Sequence, residues 1–154
     1  MPLLFTEARD EVVKAFETAW QANAAAIVGF TPEVRYKDIQ TRAPEPTGAY
    51  WVRVSLQSVD EVRTGVSSCP DENDQEQKRY TVSGLVFVQL FGPVNDDEAQ
   101  LNLELLAVIA RNAFRGKRRP GGLFFQNARI NDLTPEDTKI RFNVVAEYQY
   151  DEIG

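Results

Sequence analysis

The chain has 154 residues, 17 Lys plus Arg against 23 Asp plus Glu for a formal charge of −6, 43% hydrophobic residues, one cysteine and no histidine. That length suits one domain able to bury roughly two thirds of its unfolded surface, so residues 1–154 read as a single unit. The balance excludes a disordered chain, an intrachain disulfide, a cysteine-based zinc site and every use of imidazole as base or metal ligand.

The opening Met1-Pro2-Leu3-Leu4-Phe5 is too short an apolar run for a signal peptide, and Glu7, Asp10 and Glu11 follow at once. No window approaches the roughly 20 apolar residues of a membrane helix. The chain is expected to be made in a cytoplasm, or in something assembled there, with no membrane partner. Thr6 can cap a first helix reaching about Ala26, in which Ala8, Val12, Phe16, Ala19 and Trp20 recur at helical spacing. Gly29 and Pro32 end it, and a short strand is predicted over 34–39. The run 43–48, Ala-Pro-Glu-Pro-Thr-Gly, is a turn-rich connector. Residues 50–59 form a clear strand, with Val52, Val54 and Leu56 on one face and Arg53, Ser55 and Gln57 on the other.

From Asp60 to about Gln77 the sequence is polar and predicts a long loop, mobile in the isolated subunit and ordered only against a neighbour. Residues 80–91 are β-branched and aromatic, a strand stopped by Gly92-Pro93. Asn95-Asp96-Asp97-Glu98 supplies the cap and acidic first turn of a second helix running to about Phe114. Its buried stripe is predicted as Ala99, Leu103, Leu106, Ile109, Ala110, Ala113 and Phe114. The helix empties into Arg115-Gly116-Lys117-Arg118-Arg119-Pro120-Gly121-Gly122. Two further strands, 123–130 and 139–150, are joined by 131–138. In the last strand Ile140, Phe142, Val144, Ala146, Tyr148 and Tyr150 point inward.

These elements predict an α+β fold: a mostly antiparallel sheet built chiefly from 50–59, 80–91, 123–130 and 139–150, with two helices packed on one face. The 80–91 strand is apolar on both sides, Val86, Val88 and Leu90 one way and Leu85, Phe87 and Phe91 the other. Two helices cover one face, so the second needs a curled sheet edge, the loop or another subunit.

Charge is segregated. Between Leu105 and Asn131 stand Arg111, Arg115, Lys117, Arg118, Arg119 and Arg129 with no acidic residue, while the other eleven basic residues stand among all twenty-three acidic ones. Such a chain is a poor general nucleic-acid binder, although one basic edge can meet phosphate or an acidic partner. No motif carries chemistry. Counted from Asp71, an EF-hand loop would need Gly at Glu76 and a bidentate Glu at Val82, so Asp71, Glu72, Asp74 and Glu76 read as a solvated acidic tract. A phosphate loop through Gly116-Lys117 would need Gly at Arg111 and Ser or Thr at Arg118. Cys69 lies in acidic surroundings that disfavour a thiolate. No catalytic residue, metal site or cofactor is predicted, and the chain is not expected to be an enzyme.

The order of elements resembles that of the tail terminator, or tail completion, proteins of long-tailed bacteriophages. The resemblance rests on the amphipathic first helix and on the Pro-rich lead into Tyr50-Trp51-Val52-Arg53-Val54-Ser55-Leu56. It rests also on Val88-Gln89-Leu90-Phe91-Gly92-Pro93 before a long helix, and on a last strand closing on Tyr148-Gln149-Tyr150. It implies a structural virion protein that forms a hexameric ring on the head-proximal end of the tail tube and stops its polymerisation. The same ring would offer the surface for head–tail joining. The implied partners are other copies of the chain, the tail tube protein, the head–tail connector protein and genomic DNA passing through the lumen. Arg115, Lys117, Arg118, Arg119, Asp71, Glu72, Asp74, Glu76 and Phe87 are the candidate interface or lumen residues. The competing expectations are another neck or connector component, and a small nucleic-acid-binding module using residues 115–119.

Overall fold

The structure is a computed structural model that describes residues 4–36, 50–70, 76–93, 98–132 and 139–153. Its elements are α1 (Phe5–Asn23), α2 (Ala25–Val28), β1 (Glu33–Tyr36), β2 (Trp51–Pro70), β3 (Glu76–Pro93), α3 (Ala99–Phe114), β4 (Phe124–Asp132) and β5 (Lys139–Ile153). The strands make one sheet in the order β1-β2-β3-β5-β4, and only β1–β2 is parallel. Both long helices pack on one face, which gives the two-layer α+β architecture expected from the sequence.

The core lies between the layers. Ala8, Val12, Phe16 and Trp20 of α1 and Leu103, Leu106, Ala110 and Phe114 of α3 meet Val52, Val54, Val86, Val88, Leu90, Val144 and Tyr148. Phe16 stacks on Trp20 at 5.3 Å and on Phe114 at 6.3 Å, so three large rings fix the crossing of the helices. The helical stripes differ from expectation in two small residues. Ala15 and Ala107 are buried, while Ala19 and Ile109 are only half-buried. Where the helices lie close, the least bulky positions take the contact.

Ring packing also shapes the sheet. Gly84 on β3 pairs with Ser58 of β2 and with Tyr148 of β5. Without a Cβ at 84, the Tyr148 ring lies across β3, and its hydroxyl bonds to the side chain of Ser58.

Two expectations are corrected. Residues 60–77 are not a loop: β2 runs to Pro70 and β3 starts at Glu76, so most of this stretch is the outer part of a long hairpin. Residues 57–62 of β2 are exposed and mostly polar in sequence, which hid their pairing. The first helix is capped at Leu4 rather than Thr6, its N–H donating to Glu7 Oε2 at 3.3 Å. β4 carries a bulge between Gln126 and Arg129, with Asn127 at φ 54°, a conformation that Asn tolerates. The connector over 43–48, the acidic cap residues 95–97 and most of the 131–138 connection lie outside the described residues.

Candidate functional site

The end of α3 does not fray into solvent. Lys117 N–H donates to Phe114 O at 3.1 Å, Phe125 N–H to Lys117 O at 3.1 Å, and Arg119 N–H to Leu123 O at 2.7 Å. The loop thereby folds back as a bridge between Arg118 and Phe124. Gly116, at φ 66°, permits the reversal, since a side chain there would be strained. Residues 115–118 are therefore held as a defined projection. Arg115, Lys117 and Arg118 are exposed on it, with Arg118 over the Phe124 ring at 5.7 Å.

Arg119 has a different role. Its Nη2 and Nε lie 2.9 and 3.0 Å from Glu11 Oε2 on α1, a partly buried ion pair that ties the loop to the helix layer. No signal in a single sequence links positions 108 residues apart. Beside the loop, α1 and α3 leave a groove of about 720 Å³ floored by Ala19, Ala22 and Ala113 and bounded by Ile27 and Lys117.

The opposite face of the sheet carries the other predicted residue. Phe87 is half-buried in the row Ser55–Phe87–Val145–Arg129 and points away from the helices. Leu85 and Phe124 share that face and are also half-buried, and Val145 is buried. At one end Trp51 and Phe91 stack at 4.3 Å, with Arg53 5.3 Å from the Trp51 centroid and Arg35 5.6 Å from it. Cationic side chains thus lie over aromatic faces and supply part of the cover that this apolar face demands. Glu33 pairs with the nearly buried Arg35 at 3.1 Å.

The loop cations and Phe87 are not one cluster. Arg119 is tied to the helix layer, whereas Arg118 lies over Phe124 on the sheet face that also carries Phe87. Asp71, Glu72 and Asp74 lie outside the described residues, and Glu76 opens β3 at the hairpin end.

Three tyrosines have hydroxyls pushed up from their ordinary range. Burial and the hydrogen bond to Glu17 raise Tyr36. Burial raises Tyr148 against the opposing effects of Arg9 and Ser58. Burial, with the charges of Glu152 and Glu61, pushes Tyr150 up to about 12. All three are neutral at physiological pH, not bases. Among the described residues no group of three or more His, Cys, Asp or Glu is placed to hold a metal ion. What the geometry offers is surfaces: a pinned cationic loop, an aromatic-cationic sheet face and an apolar groove.

No family model matches the chain, and no curated protein matches it by sequence. Among solved structures it is similar to a protein described only by a sequence identifier. That match has a TM-score of 0.58 and 16% identity, over 92% of this chain and 94% of the other. A second similarity, with a TM-score of 0.48 and 16% identity over 94% of this chain and 98% of the other, is to a chain from the virion of a native gene transfer agent particle. The first shows a shared fold over nearly the whole of both chains.

Proposed function

We propose that this chain is a structural, non-enzymatic subunit of a phage-type particle: a tail terminator that forms a ring, hexameric by family resemblance, on the head-proximal end of the tail tube. There it stops tube polymerisation and presents the surface to which the head–tail connector docks. The observation that carries this reading is the two-sided sheet. Leu85, Phe87 and Phe124 put half-buried apolar side chains among polar ones on the face opposite the helices, apolar area that a neighbouring subunit would cover. The pinned basic loop adds a charged margin that can select the neighbour and its orientation.

Deleting the coding sequence in the particle-producing cell tests the reading. The expected result is tails of unregulated length with no heads attached. Tails of normal length joined to heads would overturn it, and headless tails of normal length would move the chain to another neck position. A second reading, that residues 115–118 face nucleic acid, draws on the exposure of Arg115, Lys117 and Arg118. It predicts a DNA gel shift that fades as salt rises, because phosphate contacts release counterions.

A further inference from the structure

Near the wet end of the sheet, under the start of α1, lies a cleft of about 420 Å³ lined by Phe5, Val59, Glu61, Tyr150 and Glu152. Glu61, Val82 and Tyr150 share one cross-strand row, so the sheet itself aligns carboxylate and phenol. Tyr150 is only 2% exposed, and its hydroxyl has no hydrogen-bond partner among the described residues. An unmet buried hydroxyl is costly, and a ligand group that supplies the missing bond recovers that cost. The charges facing this phenol are the carboxylates of Glu152 and Glu61 and the guanidinium of Arg9. Arg9 is already engaged, 5.3 Å over the Phe5 ring and donating to Leu56 O at 3.4 Å. Asp60 adds a third carboxylate at the rim, its Oδ1 accepting the Glu61 N–H at 2.8 Å. Phe5 and Val59 are exposed apolar walls. The cleft therefore asks for a cation on an apolar stem that carries N–H donors, which describes an Arg or Lys side chain.

We infer that this cleft is the socket for the 115–118 loop of a second copy of the chain, with Arg115 or Lys117 entering between Glu61 and Glu152 and donating to Tyr150 Oη. The inference rests on the ring reading and names the contact that builds the ring. Charge complementarity selects the occupant: the exposed cations of the pinned loop have no carboxylate partner among the described residues. Plug and socket lie on different parts of the subunit. The loop borders β4 at the sheet edge, and the cleft spans β2, β3 and β5 at the hairpin end. Such a pairing is head-to-tail, the type that closes into a ring when the rotation between subunits allows.

Charge exchange tests the contact. Glu61→Lys with Glu152→Lys reverses the socket, Arg115→Glu with Lys117→Glu reverses the plug, and the four changes together restore opposite signs. Glu61, Arg115 and Lys117 are exposed and Glu152 is half-buried, and unchanged melting of each variant will show that folding is intact. Rings on tail ends are counted by electron microscopy, and self-association is followed by sedimentation at about 0.1 M salt, where exposed charges further apart than about 10 Å are screened. Each reversed pair should lower assembly by about tenfold or more, and the four-fold variant should regain it. Normal assembly of either pair, or no recovery in the four-fold variant, overturns the contact. If rings of this chain still cap the tails in those cases, the ring reading survives without it. If the parent chain forms no ring on tails, both fall.

Discussion

Gly84→Ala isolates one packing decision in the sheet. A Cβ at this position would lie 2.7 Å from Tyr148 Cε1 and closer still to Cζ and Oη, inside any allowed contact. The ring has little room to retreat. Tyr148 is 2% exposed and stacks on Tyr150 at 6.5 Å, with its hydroxyl engaged by Ser58 two strands away. Overpacking of this kind costs about 1–3 kcal/mol. Reduced freedom of the unfolded chain returns about 0.4–1 kcal/mol, leaving a net loss of about 1–2 kcal/mol. For a domain of this size each kcal/mol moves the melting temperature by about 2–4 °C, so calorimetry should record a fall of roughly 2–8 °C. A double-mutant cycle with Tyr148→Leu assigns the cause: the two changes should couple by about 1 kcal/mol, because the shorter side chain no longer crosses position 84. An alanine variant that melts with or above the parent refutes the reasoning. Additivity in the cycle would move the strain to another neighbour.

Other perturbations test separate links. Phe16→Ala should cost about 3–5 kcal/mol by removing the ring between Trp20 and Phe114, and Leu106→Ala about 2–5 kcal/mol, both read from denaturant midpoints. Parent-like unfolding of either would show the buried stripe to be misassigned. A cycle of Glu11→Gln and Arg119→Gln should give a coupling of about 1 kcal/mol that shrinks in high salt, and a coupling of zero would remove the loop's anchor. Burial raises the Tyr150 pKa to about 12, so its contribution to stability is complete below about pH 10 and is lost as pH rises from there through about 12. Phenolate absorbance should show the most buried tyrosines ionising last, and a Tyr150→Phe variant should lose less stability over that range than the parent. Ionisation of all five tyrosines together near pH 10 in folded protein would contradict the burial.

The readable parts of this fold were those where one buried face imposes a period. Val52, Val54, Phe142, Val144 and Tyr148 alternate, and Val12, Phe16 and Trp20 recur by turns, because water touches only one side of each element. The outer hairpin was illegible for the same reason inverted. Residues 57–62 of β2 are exposed to solvent, and Asp60 and Glu61 look like loop residues although their backbone is paired. Alanines 15 and 107 sit at contacts, but their size gives pattern reading nothing to weigh. At the surface, the cations of residues 115–119 were visible in sequence, yet their division into an anchored Arg119 and projecting Arg115 and Lys117 depends on Glu11, which only folding brings near. Tyr150 was read as inward, but whether its hydroxyl has a partner is a property of space and not of order along the chain.

The exposed border of β2 has a consequence for how such a subunit stays countable. Past Val54 no described strand pairs with that border, and an unbroken row of free amides and carbonyls would invite strand after strand to add without limit. The β2–β3 ladder instead slips between Ser58 and Asp60, between Arg63 and Gly65, and between Val66 and Pro70. Each slip turns the backbone groups out of line for an incoming neighbour and adds local twist. Fibrous growth along this border is thereby frustrated. In the proposed ring, copies of the chain would recognise one another through side chains, whose geometry can stop at a finite number, and not through the peptide backbone, whose repeat has no end.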